Sequence, residues 1–323
     1  MECLRSIDIA SVSLSLEIIV IDNASSDGSA EMCRALFPNV QVIQNSSNVG
    51  FGRANNQGIQ SSRAEFVLLL NSDTLVFPKT LETMFDAIRR DDGIGILGCR
   101  LENRDGSPQP SCCRYPTVPV VAVERLLLYR LCKRLPQTAI QSSNHSAVEC
   151  DWIMGACMMI RRAALELGGV FDPEIWLYGE ELDLCYRIKR AGWRIVFDPA
   201  SKIIHLGGGS WEHDSYSTTI LKMAGLLRFH RTHYSTASYC ATWSLVVVGA
   251  VLRSIICAVV VTGNRQGHWR RELTTNLSLL ARLGTGSLLQ FHRTAGASGN
   301  RKESQKASGG SDKAGVDGTA DSV

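Results

Sequence analysis

The sequence lacks any pair of cysteines at CxxC spacing. Its eleven cysteines are scattered over 323 residues, and Cys112 and Cys113 are the only neighbours. Zinc sites and disulfide scaffolds are recognised by close, regular cysteine spacing, so neither is predicted. Scattered single cysteines are typical of proteins kept in a reducing compartment. No internal repeat occurs, and the length allows one or two globular domains.

Acidic residues are nearly missing from one segment. Residues 1–221 contain 21 Lys/Arg and 26 Asp/Glu, whereas residues 222–293 contain nine Lys/Arg and one acid, Glu272. The same segment holds a 19-residue apolar run, 243–261, interrupted by Arg253. A helix of that length just spans a bilayer, but a central arginine costs about 2.5–3.5 kcal/mol on insertion scales. An interfacial hairpin on anionic lipid is therefore favoured, and a helical subdomain packed on the rest of the chain is the alternative.

Two other signals are missing. Gly50-Phe51-Gly52 has no third glycine at the spacing of a dinucleotide fingerprint, which disfavours hydride-transfer enzymes. The N-terminus shows no signal peptide, because acidic residues interrupt its apolar positions. A cytoplasmic location is therefore expected.

Three short apolar runs each end in polar residues. The runs, with a polar residue that follows each, are 17–21 with Asp22, 40–43 with Asn48, and 65–69 with Asp73. Such runs predict buried parallel strands, and open α/β sheets bind ligands beyond the carboxyl ends of their strands. Asp22 is placed to accept a hydrogen bond from a base or ribose. Backbone amides near Gly50 are expected close to phosphate, and Asp73 can hold Mg²⁺ or Mn²⁺. Singly, each would be read as a turn residue; their repetition predicts a nucleotide-diphosphate site.

An acidic helix is predicted further along the chain. Leu184, Ile188 and Ala191 share one helical face, and Gly192 is expected to end the helix. Three acids occupy its first turn: Glu180, Glu181 and Asp183. Acids there complement the helix dipole, but three in four residues exceed what capping requires. A carboxylate held there beside a sugar site can serve as a general base.

Together these motifs resemble family 2 glycosyltransferases of the GT-A fold, in the rhamnosyltransferase-like branch. The matching residues span positions 17–211, about two thirds of the chain: 22–29, 48–51, 55–56, 71–74, 155–156, 178–184, 205–206 and 208–210. The resemblance implies an α/β nucleotide-diphospho-sugar transferase with a Rossmann-like mixed sheet flanked by helices. Residues 1–215 would form that domain and 216–296 a helical, membrane-associated appendage. Residues 297–323 have almost no apolar side chains and are predicted to be disordered.

The resemblance also implies chemistry. The donor would be a nucleotide-diphosphate sugar, dTDP-rhamnose first, and the acceptor a polysaccharide or lipid-linked glycan at the cytoplasmic face of the inner membrane; no nucleic acid is expected. A divalent Mg²⁺ or Mn²⁺ would be held by Asp73 and His205. Glu181 would be the base that inverts the anomeric carbon, with Asp183 as second choice and Glu180 beside them. The donor-binding set would be Asp22, Asn23, Ser25, Asp27, Asn48, Gly50, Phe51, Asn55, Asn71 and Asp73.

The chain departs from the family pattern in two places. Relatives have Glu-Asp where this chain has Glu180-Glu181, so the base is one methylene longer, and a misplacement near 1 Å can cost roughly 100-fold in rate. Relatives also open with an apolar strand, whereas residues 1–7 already resemble the helix that follows it. We expect a misassigned start; a lost strand is the alternative. An inactive sugar-nucleotide-binding protein therefore stays open. A sugar-phosphate nucleotidyltransferase ranks last, because no Gly-rich, basic phosphate loop precedes residue 50.

Overall fold

The computed structural model describes residues 2–10, 13–128, 146–207, 215–261 and 266–289. Within these ranges the strands are β1 Ile19–Asp22, β2 Gln41–Gln44, β3 Phe66–Leu70, β4 Thr74–Val76, β5 Ile94–Glu102, β6 Cys112–Cys113, β7 Val148–Glu149, β8 Trp152–Ile153, β9 Cys157–Arg161 and β10 Arg194–His205. The helices are α1 Glu2–Ala10, α2 Ser29–Leu36, α3 Phe51–Ser61, α4 Thr80–Arg90, α5 Val118–Arg125, α6 Arg162–Gly168, α7 Glu180–Arg190, α8 Ser215–His233, α9 Thr236–Val261 and α10 Gln266–Gly284. The tail predicted to be disordered, 297–323, lies outside these ranges.

A mixed sheet occupies the centre of the fold. Its strands run in the order β3-β9-β5-β10-β4, and β7 pairs with β10. β10 is parallel to β5, and the other pairs are antiparallel. β1 and β2 form a separate parallel pair. The expectation that β3 lies parallel to its neighbours is therefore wrong: β9, with all five residues buried, takes β3 as an antiparallel partner.

Helices cover both faces of this sheet. α4 buries Met84 and Ile88 on one side, and α7 buries Leu184 and Ile188 on the other, all with no exposed surface. Residues three and four apart share a helical face, which is why these pairs point into the core. The acidic helix predicted from the sequence is confirmed as α7, and Gly192 follows its end with φ at 98°.

The start of the chain is helical, as predicted. α1 places Cys3 and Ile7, one turn apart, in the core beside β4. Ser6 strengthens this contact because its hydroxyl accepts a 3.0 Å hydrogen bond from the amide of Val76. α1 therefore closes the sheet edge next to the turn that carries Asp73.

Three helices follow the central sheet and share a core of their own. α8 contributes Ile220 and Leu227, α9 contributes Val246 and Ala250, and α10 contributes Leu279. α9 also packs on α5. Within α9, Thr236–Val260 is long and apolar enough to cross a membrane by length and composition, with a mean hydropathy of 2.2, and 28% of it is buried. The division of the chain at residue 215 stays a prediction.

Candidate active site

Glu181 lies at the start of α7, behind a strained loop. Tyr178 has φ at 66° and Gly179 at 104°, both left-handed, a conformation that costs a tyrosine free energy and that clusters at functional sites. The Glu181 Oε1 accepts a 3.3 Å hydrogen bond from the amide of Gly155. A Cβ at Gly155 would lie 2.7 Å from that oxygen, so a larger residue would displace the carboxylate from its present position.

Glu180 and Glu181 are adjacent carboxyls, and burial raises the pKa of both by different amounts. Burial raises the pKa of Glu181, while the Gly155 amide and the Lys222 ammonium oppose the rise. Burial and the charge of Glu181 raise the pKa of Glu180 well above its ordinary value, and its Oε2 has no hydrogen-bond partner among the described residues. The pKa of Glu180 is thus raised further than that of Glu181, so Glu181 is the carboxyl of the two that ionises first.

Asp183, the third acid, points elsewhere. Its Oδ1 accepts a 2.6 Å hydrogen bond from His233 Nε2, and its Oδ2 accepts from Arg187 Nε at 2.9 Å. Burial raises the pKa of Asp183, but these hydrogen bonds and charges outweigh it and leave the pKa below its ordinary value. Both oxygens are thus engaged between α7 and α8.

Asp73 and His205 come together because β10 pairs with β4. The pairing sets His205 opposite Thr74, and the two side chains approach to 3.5 Å between Asp73 Oδ1 and His205 Nε2. Gln109 donates both amide hydrogens, to Asn103 Oδ1 and to the His205 carbonyl, so its Oε1 faces His205 Nδ1 at 2.9 Å. An amide oxygen only accepts, so Nδ1 carries a proton, and Nε2 is the ring nitrogen that could bind a metal.

This pair fits a divalent metal. The Asp73 carboxylate and His205 Nε2 are 3.5 Å apart, close enough to bind the same ion. One carboxylate and one imidazole suit an ion that takes its other ligands from diphosphate and water. The described parts of the chain contain no cluster of three His, Cys, Asp or Glu around a metal position.

Asp22 ends β1, and Asn23 follows it. Asp22 is 6% exposed, and its Oδ2 has no hydrogen-bond partner in the part of the chain that the structure describes. Asn23 accepts from the Val49 amide at 3.0 Å and donates to Asn48 Oδ1 at 2.9 Å. Asn48 Oδ1 also accepts from the Gly50 amide. Asn23 and Asn48 thus shape the loop and occupy the amides expected near phosphate, whereas Asp22 keeps an oxygen for a ligand.

The loop 45–50, which leads into α3, touches the loop 169–179, called here the acidic loop, which leads into α7. The amide of Phe51 donates to the Trp176 carbonyl at 3.0 Å, and the Phe51 ring meets Phe171 edge-on at 6.0 Å. A Cβ at Gly50, where φ is 90°, would lie 2.6 Å from Trp176 Cδ1. Asn56 donates to and accepts from the backbone of Phe171. These contacts fix the spacing between the two loops.

The remaining predicted residues have local roles. Asp27 is exposed and accepts from the Ser29 amide and hydroxyl at the start of α2; Ser25 is exposed beside it. Asn55 donates to the Phe51 carbonyl of its own helix. The Asn71 amide donates to Ala156 O at 3.0 Å. Since Ala156 follows Gly155, this bond connects the Asp73 turn to the backbone that contacts Glu181.

α8 brings residues that sequence reasoning missed. The Lys222 ammonium lies 5.0 Å from the centre of the Tyr178 ring. One turn later, a Cβ at Gly225 would lie 2.3 Å from the Tyr178 carbonyl oxygen, so the helix backbone rests on the acidic loop. Arg228 pairs with Asp172 at 2.7 Å. A spacing of three puts Lys222, Gly225 and Arg228 near one helical face, but no sequence signal says what that face meets. Gln109, which orients His205, carried no signal either.

Comparison with known proteins places this geometry among sugar transferases. Residues 3–142 match the model of Glycosyl transferase family 2. The N-acetylglucosaminyl-diphospho-decaprenol L-rhamnosyltransferase of Mycobacterium tuberculosis (strain ATCC 25618 / H37Rv) is 27% identical over 244 residues, covering 70% of this chain and 77% of the relative. The low-salt glycan biosynthesis hexosyltransferase Agl10 of Haloferax volcanii is 29% identical over 178 residues, which cover 54% of this chain and 53% of the relative.

Two solved structures have a similar fold. GalNAc-T7 with UDP, GalNAc and Mn²⁺ superposes with a TM-score of 0.52 at 13% identity, covering 91% of this chain and 54% of that one. The mannosyltransferase PcManGT from Pyrobaculum calidifontis, in complex with GDP-Man and Mn²⁺, superposes with a TM-score of 0.51 at 16% identity. The match covers 93% of this chain and 82% of that one.

Proposed function

Because this chain is a family 2 glycosyltransferase of the rhamnosyltransferase-like branch with the GT-A fold, we propose that it transfers a rhamnosyl group from dTDP-rhamnose to a glycan, with inversion. One observation carries the proposal. The Glu181 carboxylate rests on the Gly155 amide, and the next residue, Ala156, is bonded to the turn that holds Asp73. These contacts support a role for Glu181 as the base next to a metal held by Asp73 and His205.

Asp73 and His205 would hold Mg²⁺ or Mn²⁺. When bound, the ion would neutralise charge that develops on the departing diphosphate. Both solved neighbours contain Mn²⁺ with a nucleotide, in agreement with this role. Asp22 would accept from the base or ribose through its Oδ2. dTDP-rhamnose is favoured as donor because the Mycobacterium relative is an L-rhamnosyltransferase.

Glu181 would take the proton of the attacking hydroxyl. A bond forms from the acceptor oxygen to the anomeric carbon while the bond to the diphosphate oxygen breaks on the opposite face, so the configuration inverts. The proton ends on the Glu181 carboxylate. Asp183 acts as a positioning residue that fixes α7 against His233 on α8.

The acceptor would be a lipid-linked glycan at the cytoplasmic face of the membrane. The Mycobacterium relative is named for a sugar carried on diphospho-decaprenol. The apolar α9 and the basic character of residues 222–293 agree with such a location.

Thermal-shift titration with deoxythymidine, uridine and guanosine diphosphates, each with and without Mn²⁺, tests the site. We expect a metal-dependent rise in Tm that is largest for deoxythymidine diphosphate, because a ligand at 100 times its Kd adds about 2.7 kcal/mol to the free energy of unfolding. A transfer assay with dTDP-rhamnose completes the test. Binding without turnover would indicate a sugar-nucleotide-binding protein, and no shift with any nucleotide would contradict the site.

The pH dependence of transfer reports on Glu181 and Lys222. The base must be ionised, and burial raises the pKa of Glu181, so the acidic limb of the kcat profile should lie above the ordinary glutamate pKa near 4.3. The groups that face Glu181 are Glu180, Lys222 and the buried thiols of Cys113 and Cys185. Replacing Lys222 by Met removes the cation and should move the limb to higher pH.

Lys222→Arg is the matched control, because it keeps the charge and should keep the limb in place. An acidic limb that does not move in Lys222→Met would show that the ammonium does not act on the base.

A further inference from the structure

We propose that α9 lies flat on an anionic lipid surface, contacting it through one exposed apolar face. This face, called here the α9 stripe, consists of Val248, Val251, Leu252, Ile255, Ile256 and Val259, which are 39–68% exposed. Their spacings of three and four residues put them along one side of the helix. Single exposed apolar residues are ordinary, but a contiguous row marks a contact surface. The inference rests on α9 and does not require the proposed transfer reaction.

The opposite side of α9 packs against the rest of the protein. Val246, Ala250 and Cys257 are at most 3% exposed, and the first two pack with α8 and α10. Arg253 donates to the Glu124 carbonyl at the end of α5, at 3.3 Å, and so turns away from the α9 stripe. A core helix would be covered on all sides, and a spanning helix would have to leave these partners. A helix half embedded along the lipid interface keeps its packed side on the protein and its α9 stripe in contact with lipid.

Charge identifies the surface as anionic lipid. Residues 222–293 carry nine Lys/Arg and the single acid Glu272, and although Lys222, Arg228 and Arg253 contact the protein itself, the excess of cations remains. Arg270 and Arg271 are exposed about one turn into α10, the helix that follows α9, and the half-buried Trp269 adjoins them. Arginine next to tryptophan suits the headgroup region. A second copy of the chain fits less well, because a two-fold interface would bring these arginines together.

Vesicle sedimentation of the full-length protein tests the proposal. Vesicles of phosphatidylcholine alone are compared with vesicles of equal parts phosphatidylcholine and phosphatidylglycerol. We expect binding to the mixed vesicles, weakened by high salt. Arg270→Gln and Arg271→Gln should each weaken it about fivefold. Ile255→Glu with Val259→Glu should abolish it, since two charges would enter the apolar contact.

Leu36→Glu is the control, because Leu36 is an exposed apolar residue of α2, away from the α9 stripe. It should bind vesicles like the unmodified protein, and all variants should keep the same circular dichroism spectrum because every altered side chain faces solvent. The proposal is overturned if the protein binds neither kind of vesicle. It is also overturned if high salt leaves the protein on the mixed vesicles and only detergent releases it, or if Ile255→Glu with Val259→Glu binds normally. Concentration-dependent dimers that the stripe variant loses, without vesicle binding, would identify a second copy as the occupant.

Discussion

Glu181→Gln is expected to lower kcat by about 10²- to 10⁴-fold and to leave donor binding intact, which is the range that a general base contributes. The amide keeps the shape of the side chain and can still meet the Gly155 amide through its oxygen, but it cannot take a proton. The measurement pairs initial rates of transfer with a nucleotide thermal shift. An unchanged shift with lost turnover locates the defect in proton transfer.

Variants of the other two acids of α7 test whether the loss of activity is specific to Glu181. Glu180→Gln should change kcat little, because burial raises the pKa of Glu180 well above its ordinary value and so favours its neutral form. Asp183→Asn should lower Tm, since it weakens the contacts to His233 and Arg187. A fully active Glu181→Gln would reject Glu181 as the base.

Asp73→Ala is expected to lower kcat/KM by about 10²- to 10³-fold, on the scale of losing one preorganised electrostatic contact to developing charge. The variant removes the carboxylate that faces His205 Nε2 at 3.5 Å. Its distinguishing readout is binding: the Mn²⁺-dependent part of the nucleotide thermal shift should vanish, while any metal-independent part survives.

Asp105→Ala is the matched control for Asp73. Asp105 lies outside the predicted site, is exposed, and accepts hydrogen bonds from the amide and hydroxyl of Ser107 within its own turn. It should keep the Mn²⁺-dependent shift. An Asp73→Ala protein that still responds to Mn²⁺ would place the metal elsewhere.

Local patterns in the sequence were sufficient for the elements around the site. The apolar runs before Asp22, Asn48 and Asp73 are strands, and the spacing of Leu184 and Ile188 gave α7 its buried face. These signals depend on neighbours within one or two turns. The pairing of β3 with β9 was not predictable in this way, because it joins segments about ninety residues apart.

The roles of the three acids show a second limit. Successive residues of a helix are rotated by about 100°, so acids at 180, 181 and 183 point in three directions. Sequence shows that they are dense but not what each one meets. Only the positions of Gly155 and His233, 26 and 50 residues away from their partners, separate the candidate base from the positioning residue.

The close fit of Gly225 against Tyr178 and Gly179 bears on how the protein can be divided for biochemistry. A fragment ending at residue 215 would contain the whole central sheet and every residue that the family motifs mark. It would also leave the strained Tyr178 backbone without the helix that rests on it, Asp183 without His233, and Glu181 without Lys222. The smallest piece suited to enzymology therefore extends through α10, and a shortened protein that proves inactive would say nothing against the chemistry proposed for Glu181.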